Sequence, residues 1–487
     1  MMEFEAFIGM EVHAELLTES KMFCGCSAKF GGPPNSNVCP VCMGMPGSLP
    51  VPNRKAVEYV VRTALALNCE ISNPSIFYRK NYYYPDLPKN YQISQYGDDP
   101  IGKNGYLDFT VDGKPKRVRI RRVHLEEDTG KLFHVAGDLS QVDYNRSGVP
   151  LMEIVTDFPP DIHTAEEARE YLIALRAVLV YLGVCDGKME EGSLRCEPNI
   201  SIRVKGSTQF NPKVELKNLN SFRAVYRGVE YELRRQAEVL ANGGTIVQET
   251  RRWDDARGET FVMRSKEFEQ EYRYFPEPDL VPLTFSAEWL EEQRRCLPEL
   301  PLAKRVRYQE QFGLSAYDAE VLTDDPAVAR FFEEAAELYH DPKTVANWIM
   351  GDMARLMKEL DADAAQAPIR ITPGDLVAML KMIDAGTISG KIAKQVFQEM
   401  FATGKRPEEI VREKGLTQIT DEGEIASVVD RVLADNPAEV GRYRAGEEKL
   451  RAFFVGQVMK ATRGKANPEL VNRLLTEKLS AEGNAGS

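Results

Sequence analysis
The chain changes its hydrophobic period once, and that change limits it to few architectures. Up to about residue 290, apolar residues alternate with polar ones at Phe7 to Leu16, Val118 to Leu125, Leu151 to Val155 and Ile200 to Val204. A period of two is the spacing of strands with one buried face. Helical stretches interrupt them. Thr164-Ala-Glu-Glu167 has the form of a capping box opening a helix that runs towards Gly183. A second helix is expected from Ser221 to Leu240, stopped by Asn242-Gly243-Gly244. After Pro298-Glu-Leu-Pro301 the pattern from Ala303 to Glu477 is almost wholly helical, with a further break near Gly404 to Pro407. The expected fold class is α+β: an N-terminal domain on a mixed, antiparallel sheet (1–295), an all-α helical domain (296–404) and a small α-helical tail domain (405–480). Residues 481–487 are expected to form a disordered tail.

A length of 487 residues suits about three domains. With 43% hydrophobic and 28% charged residues the composition is that of a soluble globular protein. No apolar run approaches the ~18 residues of a membrane span, and Met1 to Glu5 is no signal sequence, so a cytoplasmic protein with no membrane partner is expected. The net charge of −12 gives no hint of a nucleic-acid partner, so RNA binding would need local basic surface. One such stretch holds Lys449, Arg451, Lys460, Arg463, Lys465 and Arg473 against a single acid, Glu469. A solvated helix face is the commoner explanation for a run of this kind. Phe453 and Phe454 within it are expected in a core rather than stacked on bases.

Four of the eight cysteines fall close together, as Cys24-Gly-Cys26 and Cys39-Pro-Val-Cys42. Two close pairs on either side of a Gly/Pro/Asn-rich loop suit a tetrahedral structural Zn²⁺ site, because each tight turn supplies two thiolates. Disulfides are the rival reading, but nothing indicates export. A site with four protein ligands has no open position and braces the fold without doing chemistry.

A second constellation is spread over three expected strands. On Ile8 to Glu15 the period of two puts Glu11, His13 and Glu15 on the face opposite Met10 and Val12. On Val123 to Asp128 it groups His124, Glu126 and Asp128, and Glu153 stands alone in the apolar run Leu151 to Val155. Hard oxygen ligands with one nitrogen suit Mg²⁺ or Mn²⁺ serving nucleotide phosphates, provided the three strands are neighbours. Otherwise these are solvated strand faces, although a lone buried Glu153 would be costly. The sequence has no Walker A motif, GxGxxG, HExxH, GxSxG or Gly/Ser-rich amidase signature. If the chain uses nucleotide and ammonia, its nucleotide pocket is non-standard and the ammonia comes from another protein.

Several long strings are too specific to be chance. They include Arg79-Lys-Asn-Tyr-Tyr-Tyr-Pro-Asp-Leu-Pro-Lys-Asn-Tyr-Gln-Ile-Ser-Gln95, His124-Leu-Glu-Glu-Asp-Thr-Gly-Lys131, Met189-Glu-Glu-Gly-Ser-Leu-Arg-Cys196 and Glu215-Leu-Lys-Asn-Leu-Asn-Ser-Phe222. Together they resemble the B-subunit family of the aspartyl/glutamyl-tRNA amidotransferases, from Glu5 to about Leu479. The resemblance implies a cradle-shaped N-terminal domain, a helical domain and a tail related to the YqeY family. It implies ATP-dependent phosphorylation of the side-chain carboxyl of Glu-tRNA(Gln) or Asp-tRNA(Asn), then attack by ammonia from the A subunit, with a C subunit tying the two together. Glu11, His13, Glu126 and Glu153 match the family's Mg²⁺ positions, and Lys80 and Lys89 match lysines near the channel mouth and reaction site. Glu190, Arg195 and Lys217 sit in strings expected to line the cradle and bind the nucleotide cofactor, with buried ion pairs as the alternative. Cys24, Cys26, Cys39 and Cys42 match the zinc-bearing branch of the family. Two other readings compete: a non-enzymatic zinc-containing RNA-binding protein, and a self-contained glutamine-dependent amidase, which the absent signature disfavours.

Overall fold
A computed structural model describes residues 3–97, 99–134, 139–265, 272–361, 371–419, 421–462 and 464–481. The expected tail at 482–487, residue 481's side chain and Arg463 of the basic stretch lie outside the described residues. The chain divides into two compact units, Met1–Val306 and Arg307–Ser487.

In the first unit the elements run β1 (Phe4–Glu15), α1 (Arg54–Ala66), β2 (Glu70–Ile71), β3 (Tyr78–Asn81), β4 (Tyr91–Ser94), β5 (Gly102–Val111), β6 (Lys114–Glu127), β7 (Lys131–His134), β8 (Ser140–Asp143) and β9 (Pro150–Thr156). Then follow α2 (Ala165–Tyr181), β10 (Leu194–Val204), β11 (Val214–Lys217), α3 (Phe222–Ala241), β12 (Glu249–Asp254), β13 (Glu259–Ser265), β14 (Phe275–Pro276) and α4 (Ala287–Arg295). Nine strands form one open sheet in the order β13-β12-β11-β10-β1-β9-β6-β5-β2, and β14-β3-β4 form a smaller one. Neighbours in the large sheet are antiparallel except β11 and β12.

Alternation decides which face of the large sheet is dry. On β1 the even residues Ile8, Met10, Val12 and Ala14 enter the core with Met152 and Ile154 of β9, while Glu11, His13 and Glu15 lie on the other face. Residues from α1 (Val60, Val61), α2 (Leu172, Leu175) and α3 (Val225, Val229) close the same core. Strand β6 carries a bulge between Ile120 and Arg122. An extra residue reverses the parity of a strand. Before the bulge Val118 and Ile120 face the core; after it Val123 and Leu125 do, and His124 and Glu126 turn to the polar side. Thr164 caps α2 by accepting from Glu167 N, but the Glu167 carboxylate accepts from His163 N and leaves the cap residue itself. Ser221 caps α3 in the same way through Ala224 N.

The second unit is helical throughout its described residues, from α5 (Pro301–Phe312), which begins just before it, through α6 (Ala316–Leu322), α7 (Pro326–Leu338), α8 (Pro342–Trp348), a π-turn at Ile349–Met353, α9 (Ala354–Asp361), α10 (Pro373–Asp384), α11 (Gly390–Thr403) and α12 (Pro407–Lys414) to α13 (Glu422–Asp435), α14 (Pro437–Arg444), α15 (Leu450–Ala461) and α16 (Pro468–Ala481). It holds two separate apolar cores. One gathers Phe332, Leu376, Val396 and Phe397 with Ile410 and Val411 of α12. The other gathers Ile425, Val429, Phe454, Val458 and Leu475. Phe454 is fully buried there and Phe453 packs partly against it, as the apolar spacing requires. No helix among the described residues is long and apolar enough to cross a membrane.

Candidate active site
Strand β9 lies between β1 and β6, and the register places His13 and His124 directly opposite Glu153 on its two sides. Side chains that sequence separates by more than a hundred residues thus meet on one rung. His13 Nε2 lies 3.7 Å from Glu153 Oε1 and 3.8 Å from Glu126 Oε1. One ligand atom each from His13, Glu126 and Glu153 falls within 4.8 Å of the others. On the far side His124 Nε2 lies 2.8 Å from Glu153 Oε2 and 3.6 Å from Glu126 Oε2, and Ser94 Oγ donates to Glu126 Oε2 at 2.9 Å. Glu126 and Glu153 are buried, whereas His13 keeps 17% of its side chain exposed, so the cluster opens towards solvent at the imidazole.

The electrostatics follow from these contacts. Burial opposes ionisation of Glu153, but the His124 imidazole, by charge and by hydrogen bond, holds its carboxyl well below the usual range. Burial likewise opposes ionisation of Glu126, and the His124 hydrogen bond and the Lys80 ammonium more than offset it. Burial alone would lower the pKa of Lys80; Glu126, Tyr274 and Glu153 raise it above its ordinary value instead. The Lys80 ammonium sits 5.0 Å from the Tyr272 ring centroid and 6.0 Å from that of Tyr82. Two buried carboxylates, an accessible imidazole and the ammonium of half-buried Lys80 therefore share one site on the polar face. An imidazole nitrogen with carboxylate oxygens is a donor set that suits Mg²⁺ or Mn²⁺. Faces that were merely solvated would expose these acids, and here they are buried.

The remaining expected residues separate into neighbourhoods. Glu11, one rung along β1, stands outside the three-ligand group; its Oε1 accepts from Asn199 Nδ2 at 3.0 Å, and burial and then Glu153 raise its pKa. It lines a cavity of about 300 Å³ together with Phe7, Phe158, Phe210, Arg122 and Lys213. Lys217 bridges Glu197 at 2.6 Å and Glu215 at 3.3 Å. Arg195 Nη2 binds Asp128 Oδ2 at 2.9 Å. Glu190 is exposed on a turn. Lys89 pairs with Glu127, which alternation turns to the face opposite Glu126, so Lys80 and Lys89 lie on different sides of β6. The cysteines do converge: sulfur atoms of Cys24, Cys26, Cys39 and Cys42 lie within 4.8 Å of one another. Cys42 Sγ accepts from Cys39 N at 3.1 Å, and hydrogen bonding from Cys24 is the largest cause that brings its thiol down to about 5, against burial.

Two residues of this face carry more than alternation assigns them. Alternation groups His124 with the strand face and gives it no role, although its position opposite Glu153 is a signal that any correct strand pairing exposes. Glu15 is the other: burial, then the charge of Asp128, pushes its carboxyl up to about 8, while Arg195 and Arg146 help hold Asp128 at about 2 despite burial.

The sheet, its helix layer and its charged face correspond to the GatB/GatE catalytic domain, whose family model matches residues 6–291; a GatB domain model matches residues 330–479. The chain is 58% identical over 479 residues to the B subunit of the aspartyl/glutamyl-tRNA(Asn/Gln) amidotransferase of Thermoanaerobacter sp. (strain X514), covering 98% of this chain and 100% of that protein. The corresponding B subunits of Carboxydothermus hydrogenoformans and Thermodesulfovibrio yellowstonii are 57% and 55% identical, over 99% and 97% of this chain and 100% and 99% of theirs. The chain belongs to the family of amidotransferase B subunits.

Proposed function
We propose that this chain is the tRNA-binding, carboxylate-activating subunit of a glutamine-dependent, tRNA-directed amidotransferase of the carbon–nitrogen ligase class. It phosphorylates the side-chain carboxyl of Glu-tRNA(Gln), Asp-tRNA(Asn) or both with ATP, and directs ammonia from an A subunit onto the acyl phosphate, with a C subunit completing the assembly. The observation that carries this reading is the His13–Glu126–Glu153 cluster with half-buried Lys80 beside it, next to the cavity at Glu11.

A carboxylate is a poor acyl donor and must be activated as a mixed anhydride before ammonia can displace the oxygen. His13, Glu126 and Glu153 are the residues that would hold a divalent cation, with Glu11 one rung away. A cation bound there would offset phosphate charge during phosphoryl transfer. The aromatic wall of Phe7, Phe158 and Phe210 beside Arg122 and Lys213 suits a base and its phosphates, so we assign the nucleotide to this cavity. His124 and Ser94 fix the two carboxylates in place. Lys80, kept charged by Glu126, would steady the substrate carboxylate. The four cysteines would hold structural zinc away from the chemistry.

The test is an amidation assay with the A and C partners present, using both misacylated tRNAs. The chain alone should show no glutaminase activity, and the complex should convert Glu-tRNA(Gln) or Asp-tRNA(Asn) to the amide. Glu126→Ala should abolish conversion and leave tRNA binding intact. Unchanged conversion in that variant would point to a zinc-containing RNA-binding protein without catalysis of its own.

A further inference from the structure
Lys21 is the most anomalous charged residue in the first unit. Its side chain is almost completely buried, at 1% exposure. Among the described residues its Nζ pairs with no carboxylate. It donates to the carbonyl of Tyr144 at 3.1 Å and approaches Cys42 Sγ at 3.8 Å. Two acids do line the small cavity beside it, Glu127 and Asp279, but Glu127 is paired with Lys89 and Asp279 with Arg79.

An ammonium removed from water without a counter-charge is strongly unfavourable. A carbonyl dipole alone does not provide that charge. Besides that carbonyl, the group in contact with Nζ is the sulfur of Cys42, with the Glu127 carboxylate farther off in the same cavity. In a metal-binding tetrathiolate the Cys42 sulfur carries negative charge, and the Nζ–Sγ contact sets Lys21 directly against it. Four thiolates on a divalent ion carry two excess negative charges, and one ammonium offsets one of them.

We propose that Lys21 is the charge partner of the thiolate metal centre. Its N–H···S contact lowers the nucleophilicity of Cys42 and slows loss of the metal. The inference rests on reading the cysteine cluster as a zinc site. Lys21 also joins that centre to the rest of the sheet. Its backbone N–H donates to Cys26 O at 2.9 Å, inside the cysteine loop, while the next residue, Met22, donates to Gly148 O at 2.7 Å. Tyr144 and Gly148 bound the turn that leads into β9, the strand that carries Glu153. Lys21 is thus a positioning residue: its ammonium ties the metal centre to the start of that strand.

The experiment uses the full chain purified with its metal. Zinc content is measured first, and then zinc release is followed with a chromophoric chelator during alkylation by iodoacetamide, for the parent and for Lys21→Met. Mass spectrometry records the order in which the cysteines are alkylated. In the parent, Cys42 should be modified last. In Lys21→Met, zinc should leave on the order of 10-fold faster, and Cys42 should lose its protection. Release within two-fold of the parent would overturn the proposal, and so would early alkylation of Cys42 in the parent, a result that needs no variant to fold. A parent that binds no zinc would overturn the metal reading itself and this proposal with it.

Discussion
Glu153 shows how a single buried residue constrains its surroundings. Its carboxylate cannot stay charged inside the sheet without partners, and the structure supplies His124 on one oxygen and His13 towards the other. Replacing His124 with Ala should leave Glu153 free to turn, and Mn²⁺ affinity should fall ~10- to 100-fold by electron paramagnetic titration. Glu153→Gln should abolish amidation without weakening tRNA binding, measured side by side. Glu15 makes a pH prediction. Its folded-state value, about 8, lies above the ordinary 4.5, so its stabilising contribution is complete below pH 4.5 and is lost as pH rises through 8. Glu15→Gln keeps a donor for Asp128 and removes that loss. The variant should match the parent melting temperature at pH 5 and exceed it by ~2–6 °C at pH 9. Alternation put Glu11, His13, His124 and Glu126 on polar strand faces and left Glu153 as a lone acid in an apolar run. Only the family resemblance singled out Glu11, His13, Glu126 and Glu153 as metal positions. The role of His124 was legible in neither, because it depends on which strand lies beside which.

At the scale of elements, strand pairing and strand parity set the site. The bulge at Ile120 to Arg122 turns His124 and Glu126 to the polar face; a continuous strand of the same residues would have pointed Val118 and His124 to the same side. Strand β3, which carries Lys80, is held to the residue just after β14 by an ion-pair fork in which Arg79 Nε and Nη2 bind Glu277 Oε2 and Oε1 at 2.6 and 2.8 Å. Glu277 is fully buried in its side chain. Arg79→Met would strand that carboxylate at a cost of about 3–5 kcal/mol. We expect a clear drop in melting temperature by calorimetry, together with reduced amidation through a displaced Lys80. A variant as stable as the parent would show that the fork does not hold β3. The helix boundaries at Thr164, Ser221 and Gly243 could be read directly from capping residues, because a cap is a local interaction. The pairing of β1 with β9 and β10, by contrast, joins segments about 140 and 190 residues apart, and no local signal encodes it.

At the scale of the whole molecule, the helical unit has two cores, and α12 buries Ile410 and Val411 in the first of them. A truncation that spares this core therefore ends near residue 418, after Gly415, rather than at 404. We propose that such a chain, with its partners, keeps ATP hydrolysis and loses tRNA affinity, and that the lost part is salt-sensitive. Binding titrations at ~50 and ~200 mM salt would measure it, and equal affinity in the truncated protein would refute a tRNA-binding role for the tail. What the sequence by itself determined was everything set by near neighbours: the change from a period of two to a helical period, the caps, the two cysteine pairs, and the polar or apolar face of each strand. Side-chain period and capping are fixed by backbone geometry within a few residues, so they survive without a partner. Only the tertiary structure decided that β9 lies between β1 and β6, that Lys80 faces the acid cluster while Lys89 faces away, and that Lys21 is sealed against a cysteine sulfur. Those facts depend on long-range pairing and on which charges can share a space that water has left.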